Sequence, residues 1–133
     1  MSSITATQNQ LLTEHLRSFL HGIEPEALEL LRDHLEWVEV PGGGTLMEQG
    51  EPGESMYLTV SGRLRSYVRG DDGQLRRVAD MGRGQVVGEI SLFTEAPRAA
   101  TVVAVRDSVL VRLTKEVFKT LLASSAQVSI ALT

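Results

Sequence analysis

Gly88-Glu89-Ile90-Ser91-Leu92, then a short spacer, then Pro97-Arg98-Ala99-Ala100-Thr101-Val102, is where residue types and spacing could do chemistry. A glycine and an acid open a short helical turn. A Pro-Arg pair then opens a strand of small and β-branched residues. The free backbone N–H groups of the turn and the Arg98 guanidinium could hold an anion between them. Glu89 would repel that anion, so its carboxylate suits a ligand with hydroxyls beside its phosphate. A cyclic phosphodiester next to a ribose 2′-OH has that arrangement. Each residue also has a plainer reading. Gly88 could be a turn glycine, Glu89 an acid at a helix start, and Arg98 a solvated strand-end cation. Ala99-Ala100 favour the sharper reading, because they keep bulk low and leave room for a phosphate ligand against the backbone.

The elements around this stretch follow from periodicity. Leu12, Leu16, Phe19 and Leu20 recur at helical spacing, and Gly22 would end that helix. Pro25 fits the first position of a second helix with Leu28, Leu31 and Leu35 on one face. After Trp37 the period becomes two. Trp37–Val40 reads as a strand, and Pro41-Gly42-Gly43-Gly44 as a turn. Met56–Val60 and Leu64–Val68 read as strands joined by a tight turn at Ser61-Gly62. Asp72-Gly73 predicts a hairpin into Leu75–Ala79. Arg98–Val105 and Val109–Leu113 read as strands with a turn near Asp107-Ser108. Thr114 is placed to cap a helix carrying Val117, Phe118, Leu121 and Leu122. The pattern predicts an α+β domain, an antiparallel β-roll or jelly roll of about eight strands. Helices flank it at both ends, and a short helix lies near Glu89. The expected organisation is a frayed segment over residues 1–10 and one domain over residues 11–133. That domain has helices within 11–36, the β-roll over 37–114 and a C-terminal helix over 115–133.

The chain has 133 residues, enough for one core. It has no cysteine, which excludes a disulfide framework, a thiol nucleophile and a cysteine zinc site. His15, His21 and His34 have no mutual ligand spacing, so no metal is expected. No apolar run approaches bilayer length, and residues 1–5 lack the flanks of a signal peptide. A cytoplasmic location is expected. The formal net charge of −4 argues against broad nucleic-acid or anionic-membrane binding. Gly82–Gly88 is one residue too long for GxGxxG. Neither Ser61 nor Ser91 lies in a nucleophile elbow, so no catalytic residue is expected.

Gly-Glu-Ile-Ser-Leu, the spacer and Pro-Arg-Ala-Ala-Thr-Val resemble the phosphate-binding cassette of cyclic nucleotide-binding domains. That family includes the regulatory subunits of cAMP-dependent kinase and the bacterial catabolite activator. Met47–Gly62 resembles the family's second signature. The resemblance implies a role for each matching position. Arg98 would pair with the exocyclic phosphate oxygens, and the N–H of Ala99 would donate to the same group, with Ala100 beside it. Glu89 would accept from the ribose 2′-OH, assisted by the backbone of Gly88. Ile90, Val86 and Val87 would form apolar wall. Glu54 would orient Arg98 from behind, in keeping with a buried arginine's need for a counter-charge. Ser91 stands where the family often has alanine, and is small enough to fit. Ala99 stands where members favouring cGMP often have threonine, so the resemblance leans to cAMP.

The implied function is a non-catalytic sensor whose ligand shifts the helix after Thr114 and so acts on an effector, in the same chain or another protein. Three alternatives fall in other classes. The first is the sensor half of a DNA-binding regulator, which would need a helix-turn-helix that is not expected within this sequence. The second is the regulatory N-terminus of an enzyme. Leu35–Leu46 and Val60–Arg65 look like the sensor part of bacterial patatin-like phospholipases of the neuropathy target esterase type. The third is a scaffold that has lost its ligand. Most family members close the site with a helix beyond the barrel. Only about one helix of sequence follows Thr114, so the lid is expected to be short, absent or removed.

Overall fold

The computed structural model describes residues 6–21, 25–89, 94–124 and 129–130. Helix α1 (Ala6–Phe19) leads through the short strand β1 (Leu20–His21) to helix α2 (Pro25–His34). Pro25 opens α2 as its fixed φ favours. Residues 6–10, expected to fray, form the start of α1. Asn9 ties that turn down, as its Oδ1 accepts from Arg32 Nη2 of α2 at 3.4 Å.

Six strands form one antiparallel sheet: β2 (Glu36–Val40), β3 (Thr45–Met47), β4 (Ser55–Arg69), β5 (Leu75–Gly82), β6 (Val86–Val87) and β7 (Thr101–Thr114). The order is β2-β7-β4-β5, with β3 also on β7 and β6 also on β4. With helices at both ends, this is the expected jelly-roll class. β3 and β6 were not expected as strands, because two or three residues carry no usable alternation.

The largest departure from expectation is at Ser61-Gly62 and Asp107-Ser108. Both carry turn signals, yet neither reverses the chain. β4 and β7 run on as single strands of 15 and 14 residues, paired from Ser55↔Thr114 to Tyr67↔Thr101. The two signals face each other across the ladder, where the register shifts repeatedly between Thr59 and Leu64. Gly62 has φ +106°, and a Cβ there would fall 2.5 Å from Ser108 Cα. Ser108 is buried, accepts from Arg63 N at 3.1 Å and donates to Arg106 O at 2.8 Å. Glycine and serine thus make a coupled bulge that bends the strand pair in place of two hairpins. The Asp72-Gly73 hairpin is as expected, with Gly73 at φ +78°.

The alternation along β4 and β7 feeds two apolar clusters. Met56, Leu58, Val60, Val111 and Leu113 pack under the helices with Leu12, Leu16, Leu28, Leu31 and Phe118. Leu64, Val87, Val102, Ala104 and Leu110 form the second with Val40 and Met47. Helix α3 (Lys115–Ser124) follows β7, and Val117 N donates to Thr114 Oγ1 at 3.2 Å as the expected cap. The C-terminal segment does not stay helical. After α3, β8 (Ser129–Ile130) pairs antiparallel with β1.

Candidate ligand-binding site

The two signature segments meet at Arg98. Its N–H donates to Glu51 O at 2.8 Å, and its carbonyl accepts from Gly50 N at 2.9 Å. This clip joins the loop before β4 to the segment before β7. Glu48 N donates to Glu51 Oε1 at 2.6 Å, which tightens the same loop. The Arg98 side chain is 6% exposed. Its Nη1 donates to Gly88 O at 3.4 Å and its Nη2 to Ser55 Oγ at 3.3 Å. Burial pushes the guanidinium below the usual arginine range. The charges of Tyr57 and Glu51 oppose that shift, and the charge of Arg112 adds to it.

Gly88 follows β6 with φ +81°. A Cβ there would collide with Arg98 Nη1 and come 3.3 Å from Ser55 O. The glycine is therefore needed twice, for its left-handed backbone and for the space that the guanidinium fills. Glu89 comes next and is half-buried. Ile90 and Ser91, expected to contribute wall and turn, lie outside the described residues, as does the rest of the expected cassette helix. Ala99 is exposed beside Arg98, and Ala100 is half-buried.

Two expectations change. Val86 and Val87 do not form one wall. Successive strand residues point to opposite faces, so Val87 belongs to the barrel cluster and Val86 packs against the helix-side cluster. Glu54 lines the same cavity as Arg98 but is exposed, and its backbone carbonyl accepts from Lys115 N at 2.9 Å. The carboxylate whose charge bears on Arg98 is that of Glu51 in the same loop.

Sequence reasoning missed Ser55 and Arg112. Ser55 is buried at the start of β4, and its Oγ also accepts from Arg112 Nε at 3.2 Å. Arg112 Nη1 donates to Glu36 Oε2 of the neighbouring strand at 3.1 Å. Burial is the largest influence on the Arg112 charge and works against it, but the hydrogen bonds and charges of Glu36 and Tyr57 together outweigh it and hold the group above the usual arginine range. The signal for Arg112 was a lone cation within the apolar run Val109–Leu113. These groups line a cavity of about 170 Å³ together with Tyr57, Glu51 and Glu54. Among the described residues, no group of three or more His, Cys, Asp or Glu side chains could hold a metal. Nor is any described helix long and apolar enough to cross a membrane.

A loop-clipped arginine, a left-handed glycine and the acid that follows it thus lie together on an antiparallel roll. The profile of the cyclic nucleotide-binding domain matches residues 37–125, and the chain belongs to that family. Lysophospholipase nte1 of Aspergillus terreus is 37% identical over 102 residues, covering 77% of this chain and 7% of the relative. The chain thus spans only a small part of such relatives. The regulatory domain of Toxoplasma gondii PKA, solved with cAMP, has a TM-score of 0.80 and 28% identity, covering 90% of this chain and 46% of that one. The regulatory subunit of a cAMP-independent protein kinase A from Trypanosoma brucei has a TM-score of 0.76 and 29% identity, covering 88% and 42%.

Proposed function

We propose that this domain is a non-catalytic sensor of cyclic nucleotides that prefers cAMP and serves as a regulatory part of a larger cytoplasmic protein. One observation carries the reading. The desolvated Arg98 guanidinium is built against Gly88, and Glu89 is the next residue along the chain, so a cation for phosphate and an acceptor for a ribose hydroxyl belong to one short stretch of structure. A guanidinium taken from water gains most from an anion that arrives with its ligand. Arg98 would hold the phosphate, the N–H of Ala99 would donate to it, and Glu89 would accept from the 2′-OH. The methyl of Ala99 offers no hydroxyl to a guanine amino group, which supports the preference for cAMP.

The signal has a route out of the site. Lys115 opens α3, donates from its backbone to Glu54 O, and reaches Thr94 O with its ammonium at 3.1 Å. The segment leading to Arg98 and the first turn of α3 are thereby tied together. A ligand that favours one arrangement of that segment shifts α3 with it. Similarity to a lysophospholipase supports a fused effector of that class. A second reading, a domain of this fold that does not answer to cAMP, is favoured by the likeness to the cAMP-independent kinase subunit. Titration calorimetry with cAMP and cGMP separates the two. Saturable heat with cAMP supports the sensor. No heat and no thermal shift at millimolar ligand rejects it.

A further inference from the structure

The turn Glu48–Glu51 is open to water, yet each of its four backbone N–H groups is bonded within the protein. Glu48 N donates to Glu51 Oε1 at 2.6 Å, and Glu51 N to Glu48 O at 3.2 Å. Gln49 N donates to Thr101 Oγ1 at 3.0 Å, and Gly50 N to Arg98 O at 2.9 Å. An exposed loop can leave such groups to water. Here they fix one geometry. The bonds from Gln49 and Gly50 grip the stretch Arg98–Thr101 at both of its ends. Between those ends lies Ala99, whose N–H would donate to a phosphate.

The side chain of Gln49 anchors the turn itself. The β4–β7 ladder ends at Tyr67↔Thr101. Further along β4, Arg69 stands opposite Leu75 of β5. Its N–H and its carbonyl turn to Gln49: the N–H donates to Oε1 at 2.7 Å, and the carbonyl accepts from Nε2 at 3.3 Å. A side-chain amide carries a donor and an acceptor in one plane, as a peptide group does. The Gln49 side chain therefore takes the place of a further rung of the ladder. Glutamate would set an acceptor against the Arg69 carbonyl, and methionine has the length but neither group. Through Arg69 and Thr101 the turn is fastened to the ends of β4 and β7, and the turn in its place holds Arg98.

We propose that Gln49 is a positioning residue of the ligand site. Anchored to Arg69 and Thr101, it holds the Glu48–Glu51 turn as a brace that fixes the backbone of Arg98 and Ala99 before a ligand arrives. The inference rests on the cyclic nucleotide reading and deepens it. A site held ready in this way loses less conformational freedom on binding.

The test uses the full chain and its Gln49→Met, Thr101→Val and Thr101→Ser variants. Amide hydrogen exchange is followed by NMR without ligand, and cAMP is titrated by calorimetry. Gln49→Met should speed exchange at Gly50 and Arg98 by about threefold or more, and leave Leu58 and Leu110 of the central ladder unchanged. It should weaken cAMP binding roughly three- to tenfold, the effect of one neutral hydrogen bond. Thr101→Val should act in the same direction, and Thr101→Ser, which keeps the hydroxyl, should match the parent. A merely structural Gln49 would lower the melting temperature and leave affinity unchanged in the folded protein. That result overturns the proposal, as does unaltered exchange at Gly50 and Arg98 in Gln49→Met. If the parent binds no cAMP, the nucleotide reading is rejected and exchange alone decides the brace. Faster exchange at Gly50 and Arg98 then supports it, and unchanged exchange overturns it.

Discussion

Replacing Gly88 by alanine tests whether that glycine is there for the arginine or only for the turn. Its φ of +81° is in the left-handed region, where a Cβ costs about 1–2 kcal/mol. The same Cβ would occupy the place of Arg98 Nη1. The guanidinium must then move away from Gly88 O and Ser55 Oγ. Hydrogen bonds to charged groups contribute about 1.5–3 kcal/mol each, and water replaces part of that loss. The total expected cost is about 3 kcal/mol. Gly73 supplies the control, because it has φ +78° and nothing within 4 Å of an added Cβ. Gly73→Ala should cost only the backbone part, about 1–2 kcal/mol. At about 4 °C per kcal/mol for a domain of this size, the two variants should melt several degrees apart. Urea denaturation checks the difference without heating. Gly88→Ala should also lose cAMP affinity at least about tenfold, since the displaced arginine no longer meets the phosphate. Gly73→Ala should bind like the parent. Equal destabilisation in the two variants, with nucleotide affinity intact in Gly88→Ala, would refute the steric argument.

Further outcomes follow from other positions. Gly62→Ala must push a Cβ into the backbone of Ser108, which cannot swing aside as an arginine can, so a loss of about 3 kcal/mol or more is expected in chemical denaturation. Ala99→Thr should narrow the gap between cAMP and cGMP by several-fold, the worth of one hydrogen bond of about 0.5–1.5 kcal/mol. If the parent already binds cGMP as well as cAMP, the role given to Ala99 fails. His15 lies against Gly84, and its buried Nε2 has no hydrogen-bond partner among the described residues. Burial first, then Arg83, lowers its affinity for protons, and Glu14 opposes them. The folded state then holds fewer protons on His15 than the unfolded chain, so stability should be fully present above about pH 6.5 and fall below it. His15→Gln should flatten that part of the stability–pH curve, and an unchanged curve would show that another group titrates.

The sequence made some parts of this molecule legible and hid others for identifiable reasons. Helix starts were readable where one residue has one geometric use, as at Pro25 and Thr114. The Asp72-Gly73 hairpin was readable for the same reason. The errors at Gly62 and Ser108 arose because a turn signal specifies local backbone, whereas a partner strand decides between reversal and bulge. Each looked like a hairpin alone, and only their pairing makes them a shared bend. At the site, Gly88 and Arg98 were legible because steric and charge needs act within one segment. Glu54 was named as the counter-charge of Arg98, whereas the carboxylate whose charge bears on that guanidinium is Glu51's, because both acids lie in one loop and spacing does not say which comes nearer. Val86 and Val87 were grouped as neighbours although a strand sends them to opposite faces. Ser55 and Arg112 were invisible because β4 and β7 bring them together from distant parts of the chain.

The central claim is that Arg98 exists to meet an anionic ligand. Its most direct test is to measure cAMP affinity and ligand-free melting temperature on the same Arg98→Ala protein. A charge-assisted contact of about 1.5–3 kcal/mol predicts affinity falling roughly ten- to a hundredfold. The ligand-free melting temperature should fall only by a few degrees, because the bonds to Gly88 O and Ser55 Oγ are lost while the cost of burying a guanidinium is relieved. A sharp fall in that melting temperature, with cAMP affinity unchanged in the folded fraction, would contradict the account and make Arg98 a structural clasp between the two signature loops.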